Sequence, residues 1–193
     1  MFSFKDCKIE SCHTYVATGS EYCYRHSPDR EEILSHTNDL LLSPEPLRDY
    51  CITNAEFGPL RLPDRKEIIA CNFACCTFHN IDFTHVYITT SFFDFSLFDH
   101  CIFNDIDCRY SVFSGSKLIH CDFSGSFIVH SNFTGIDSLD SNFSSSDLYF
   151  STFASSYLKD TPFEDCNLKK CDFRFSDQRR ISFKYSNYQE ARS

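Results

Sequence analysis

The sequence predicts an all-β solenoid, a four-sided coil whose turns repeat with a period of 20. Two periodicities carry this. Every fifth residue from Phe73 to Tyr188 falls in one register, and 22 of those 24 positions are apolar. The same register holds 14 of the chain's 22 phenylalanines. The period of 20 sorts them: Phe73, Phe93, Phe113, Phe133, Phe153 and Phe173 form one series, and Phe83, Phe103, Phe123, Phe143, Phe163 and Phe183 another. A short period sustained this long marks units that bury their apolar side only by stacking on neighbours.

Numbered around the central residue i, each repeat has a small or β-branched residue at i−2, as at Cys71, Cys76, Ile81, Ser91, Ser96 and Cys101. Half of the repeats carry Asn or Asp at i−1, among them Asn72, Asp82, Asp122, Asn132 and Asp172. A spacing of five fits neither the helical nor the strand period, but a short strand followed by a tight turn satisfies it. Asn, Asp, Ser and Gly suit such turns. The two intervening series, Phe78 to Gln178 and Ile88 to Tyr188, are mostly smaller. The simplest account places phenylalanine ladders on two opposite sides. Where Ser138 leaves space at a central position, Ile136 is unusually large at i−2, as volume exchange in a packed interior requires.

This pattern resembles the pentapeptide-repeat family, whose consensus is A(D/N)LXX with Leu or Phe at the centre. The resemblance covers roughly residues 68–190. It implies a right-handed quadrilateral β-helix of about six coils with i and i−2 inside, and stacking at about 4.8 Å per coil gives a rod roughly 29 Å long.

Four segments follow from N- to C-terminus. Residues 1–27 form a zinc-binding module of CCCH type. Cys7, Cys12, Cys23 and His26 lie outside the repeat, in a polar stretch with little apolar material to fold around. Three thiols and an imidazole supply a tetrahedral set for structural zinc, and His13 is a rival fourth ligand. Residues 28–49 hold a short helix and linker. Ser27 reads as the N-cap and Pro28 as the first helical residue, with Asp29, Glu31 and Glu32 favouring the dipole. The helix runs to about residue 42, and Pro44 and Pro46 end it. Residues 50–70, with Ile52, Phe57, Leu60, Leu62 and Ile68, form a degenerate capping coil under that helix. Residues 71–193 form the solenoid proper. Its C-terminal end has no evident cap, which leaves it as a homodimer surface or a point of continuation.

Six of the twelve cysteines, from Cys71 to Cys171, occupy i−2, where a small buried side chain is wanted. That use, and the absence of a signal core or membrane-length apolar run, predicts a reduced, cytoplasmic protein with no membrane partner. The net charge of −9 argues against direct nucleic-acid binding. No Gly-rich phosphate loop, nucleophile motif or H-E-x-x-H pattern is present. One column of outward residues, Asn80, His100, His120, Asp140, Asp160 and Arg180, recurs with the same period of 20 and reads as solvated corner residues. The chain is therefore expected to be no enzyme.

Two functions fit these features. The first is a protein–protein interaction scaffold, its partner meeting an outward aromatic cluster of Tyr110, Phe127, Val129, Tyr149 and Phe150, with Phe92 and Phe95 around the edge. The second follows from the resemblance, since some family members mimic duplex DNA and bind type II topoisomerases such as gyrase. Residues 71–158 carry nine acids against Arg109 and Lys117, a net of −7, whereas residues 159–193 carry eight basic and six acidic residues, a net of +2. A duplex of matching length carries about seventeen charges. Mimicry by charge is thus partial, and the scaffold is preferred.

Overall fold

The computed structural model describes residues 5–193. From residue 47 onward the chain winds into a β-solenoid of about seven turns. Pairing between turns is parallel throughout and, beyond the first turn, in constant register. Lys117 faces Leu97 on one side and Asp137 on the other, and Phe127 faces Asp107, with the same offset of 20 each time.

The four sides are unequal. Seven strands stack into one parallel sheet that runs from Glu56–Phe57 through Leu97–Asp99 to Asp177–Arg179. The facing side is a five-stranded sheet from Leu47–Arg48 to Phe127–Val129. The two remaining sides are held mostly by single bridges, such as Phe92 to Val112 and Asp122 to Asn142. These two carry the phenylalanine series. Their rings stack along the axis, with centroids 4.8 Å apart for Phe113–Phe133 and 4.7 Å for Phe123–Phe143. Across the interior the ladders meet edge to face, as Phe113 and Phe123 do at 6.4 Å and 89°. Offset stacks along the axis and edge contacts across it are the two arrangements that the ring quadrupole favours.

The small side chains at i−2 do more than leave room. Ser116 Oγ accepts the amide N–H of Ser96 at 3.0 Å and donates to the carbonyl of Phe93 at 2.8 Å. The same exchange recurs at Ser126, Ser146 and Ser156, so a hydroxyl there satisfies backbone groups of the preceding turn. Ile136 is buried as the volume argument requires, and the Ser138 hydroxyl pairs with that of Thr161 at 3.0 Å.

Each corner turns through a residue of positive φ at i+2. Between residues 70 and 185 that residue is glycine only at 115, 125 and 135, and Phe95, Tyr110, Phe150, Phe175 and Tyr185 also adopt it. An L-residue costs about 1–2 kcal/mol there. From Ala70 to Lys170, pairing of the corner N–H with the next turn offsets the cost, as from Tyr110 to the Val129 carbonyl at 3.2 Å.

The first turn departs from this regularity. Leu47 pairs with Ile68 and Glu56 with Thr77, a spacing of 21, whereas Glu67 pairs with Tyr87 at 20. The extra residue lies in the corner just before Lys66, which keeps the regular spacing of 20 to the next turn and occupies the i−2 position ahead of Ile68, fully buried. Its ammonium donates to the carbonyls of Leu40 at 2.6 Å, Ser43 at 2.8 Å and Glu45. Those carbonyls belong to the end of helix α1 (Arg30–Leu42) and the segment after it. A cation on the carbonyl end of a helix is favoured both by hydrogen bonding and by the helix dipole. Thr37 Oγ1, 2.8 Å from the Tyr50 hydroxyl, ties the middle of α1 to the same turn, and Leu41 is buried. The helix thus covers the end of the apolar interior, as its sequence suggests. It begins later than Ser27 would place it: Asp29 is the N-cap, and the Ser27 hydroxyl instead accepts the Asp29 N–H at 3.2 Å in the turn before the helix.

Candidate functional site

The N-terminal module is a hairpin. Cys7 N–H donates to the Thr14 carbonyl at 3.0 Å, Val16 N–H to Lys5 at 2.9 Å, and Asp6 bridges Tyr15. It docks on the first turn through Thr18, whose N–H donates to the Cys51 carbonyl and whose hydroxyl accepts the Cys51 N–H, both at 2.8 Å. Cys7 and Cys12 flank the hairpin bend, while Cys23 and His26 frame a single 3-10 turn, Tyr24–His26.

This arrangement brings the ligand atoms of Cys7, Cys12, Cys23 and His26 within 4.8 Å of one another, the one such group found among the described residues. Cys12 and Cys23 Sγ are 3.8 Å apart, and His26 Nδ1 lies 3.6 Å from Cys7 Sγ and 3.5 Å from Cys23 Sγ. A tetrahedral ion with Zn–S near 2.3 Å and Zn–N near 2.0–2.1 Å requires edges of about 3.8 Å between sulfurs and about 3.6 Å between sulfur and nitrogen. These three edges match, and the donor set could hold a tetrahedral metal ion. His26 supplies the nitrogen of the cluster, while His13 is exposed and lines a cleft beside it.

Two of the N-terminal thiols differ from the buried thiols at 76, 166 and 171. Burial would raise the Cys7 thiol, but the amide groups of Cys23 and Ile9 and the His26 ring outweigh it and hold it down at about 6. The amide and hydroxyl of Thr14 lower Cys12 as well. Within the solenoid, burial pushes Cys166 up to about 11 and Cys76 and Cys171 up to about 12. Thiolates are the metal-binding form, so Cys7 and Cys12 are poised for a metal, whereas burial raises the Cys23 thiol beside them.

The second candidate site is a corner of the five-stranded side. Tyr110, His130, Phe150 and Lys170 occupy i+2 in four successive turns. Tyr110 stacks on His130 at 5.1 Å and 19°, His130 lies 5.0 Å from Phe150, and the Lys170 ammonium lies 5.6 Å from the rings of both Phe150 and Tyr149. Beside them Arg109 covers Phe127 at 4.7 Å. Tyr110 is 57% exposed and Phe150 52%. Val129 differs from the sequence expectation. It is only 7% exposed, so it lies beneath this corner and offers no contact surface. A search of apolar residues alone misses His130; its place midway between Tyr110 and Phe150 in the period of 20 is the signal that finds it.

The column from Asn80 to Arg180 is polar and solvated. His100 and His120 lie 4.7 Å apart, His100 Nδ1 is 2.7 Å from Asp99 Oδ1, and Arg180 pairs with Asp160. Its members bind one another rather than enclose a cavity. No helix among the described residues is long and apolar enough to cross a membrane.

A five-residue repeat wound into four-sided turns makes the chain a β-solenoid. No family model and no curated protein matches its sequence. Among solved structures it is similar to QnrB1, a plasmid-mediated fluoroquinolone resistance protein, at 15% identity and a TM-score of 0.39 over 77% of this chain and 86% of that one. It is also similar to a pentapeptide repeat protein of the Arabidopsis thaliana thylakoid lumen, at 19% identity and a TM-score of 0.33 over 53% and 61% of the two chains. A third is HetL, involved in heterocyst differentiation regulation in Nostoc sp. strain PCC 7120, at 11% identity and a TM-score of 0.24 over 84% and 93%.

Proposed function

We propose that the protein is a non-catalytic scaffold that binds a protein partner through the Tyr110–His130–Phe150 corner, with structural zinc at Cys7, Cys12, Cys23 and His26. The observation that carries this reading is the exposed ring column on a rigid frame. Exposed aromatic surface costs solubility, and where rings are contiguous and pre-ordered they lose little entropy on contact. The zinc serves the scaffold indirectly: a hairpin with so little apolar content draws its folding free energy from the metal, and it sits on the capped end of the solenoid.

The test is capture from a lysate of the native host. Replacing Phe127 and Phe150 with Asp should abolish partner capture and leave the melting temperature nearly unchanged, because both rings point outward. Capture that survives the double substitution would remove this corner from the interface. A second reading, binding to gyrase by charge mimicry, draws on the net −7 of residues 71–158. It forecasts inhibition of supercoiling that weakens as salt rises and persists in the double variant. That result would replace the first reading.

A further inference from the structure

A cleft of about 420 Å³ opens between the hairpin segment His13–Tyr15 and the flank of the first turns, where Asn54, Asn72, Phe92 and Asp94 line it. It lies around the edge from the Tyr110–His130–Phe150 corner and takes in only Phe92 of the residues grouped with that surface. Most of the polar groups at its floor are already engaged. Asn72 Oδ1 accepts the Ala74 N–H at 3.0 Å, and Asn54 Nδ2 donates to the Thr53 hydroxyl at 3.2 Å. Asp94 is different. Its carboxylate is half-buried, and no cationic side chain among the described residues forms an ion pair with it. Burial pushes it above the usual carboxylate range, and its own amide is the one group that counters the shift.

Phe92 and Asp94 are two residues apart on either side of the buried Phe93, so both project outward on the same face. Phe92 keeps 37% of its surface exposed. A carboxylate beside an aromatic face suits one cation in particular. A guanidinium group can donate two parallel hydrogen bonds to a carboxylate and stack its plane on a ring, and it sheds water more readily than an ammonium. The cleft is larger than a guanidinium with its alkyl stem and open on one side, which suits a side chain that arrives on a peptide. We infer that this cleft receives an arginine side chain of a partner segment, with Asp94 as its counter-charge and Phe92 as its platform.

Amide-resolved NMR titration of the full chain tests this with three probes: Nα-acetyl-argininamide, its lysine counterpart and the neutral citrulline isostere. The arginine probe should shift the amides of Phe92, Asp94 and Tyr15 saturably, and at least tenfold more tightly than the citrulline probe. Asp94→Asn should weaken arginine binding by tenfold or more, equivalent to about 1.4 kcal/mol. Phe92→Ser, which leaves the carboxylate in place, should weaken it several-fold, and this variant decides the matter if Asp94→Asn folds poorly. Equal binding of the citrulline probe, unchanged binding in both variants, or lysine binding as tight as arginine would overturn the assignment.

Discussion

Phe123→Ala measures how much one rung of a ladder contributes. The Phe123 ring is fully buried, stacks on Phe103 at 4.3 Å and on Phe143 at 4.7 Å, and meets Phe113 and Phe133 edge-on. Truncation removes about 100 Å³ of side chain, and at about 24 cal/mol per Å³ the cavity alone costs about 2.4 kcal/mol. The lost transfer free energy brings the total to about 3–5 kcal/mol. The neighbouring turns cannot close the gap, because backbone pairing at fixed register holds the rungs on either side. Phe183 is the control: it belongs to the same ladder at the last turn and is only partly buried, so its truncation should cost about half as much. Urea unfolding followed by circular dichroism reads both. With m near 2–3 kcal/mol/M, Phe123→Ala should lower the midpoint by about 1–2 M. Equal shifts in the two variants, or a shift below about 0.3 M for Phe123→Ala, would refute the argument that stacked rungs carry the stability.

Elemental analysis of protein purified without a metal-affinity tag should find one zinc per chain under reducing conditions; His26→Ala should lose it, and retention would shift the fourth ligand to His13. Alkylation at pH 7.5 after chelation should label Cys7 first, since a thiol held at about 6 is then largely thiolate, while Cys76 and Cys171, near 12, stay protonated and unlabelled in the folded chain. Lowering the pH to 5 should slow the Cys7 reaction steeply, because the thiolate is lost as pH falls through its pKa. Lys66→Met should cost about 2–4 kcal/mol by stranding carbonyls at the end of α1. Limited proteolysis with thermolysin should then cut within Arg30–Leu42; an uncut helix would show that Lys66 does not hold it.

Much of the fold was legible because the five-residue register leaves no other way to bury Phe113 and Phe123 together. The sides, the ladders and the small side chains at i−2 all follow from that one period. The corners were less legible: nothing in the side chains of Phe95, Tyr110 or Phe150 announces a left-handed backbone, since pairing between turns overrides their local preference. Val129 also departs from its expected place. Position i+1 is nominally outward, yet at Val129 only 7% of the residue stays exposed. The spacing of Cys7, Cys12 and Cys23 suggests a metal, yet it leaves His13 and His26 equivalent until the 3-10 turn brings His26 Nδ1 inward. Lys66 gives no signal at all, because a lysine in an acidic, polar turn ordinarily reads as solvated. Only its place two residues before Ile68, in regular register with the next turn, makes it an interior residue.

The lysine that fastens α1 to that irregular turn also sets a starting point for winding. Every later turn closes a loop of the same length, so each one costs the chain a similar entropy and gains a similar stack. The first turn alone has no predecessor to stack on. Lys66 and the helix take the place of that missing predecessor, and they fix the phase in which the next strand must lie. Winding that starts from this seed needs no contact with a distant part of the chain, since each turn stacks on its immediate predecessor. A cut or circular permutation that detached the helix should therefore slow refolding of the whole rod, whereas removal of the last turn should leave the rate almost untouched.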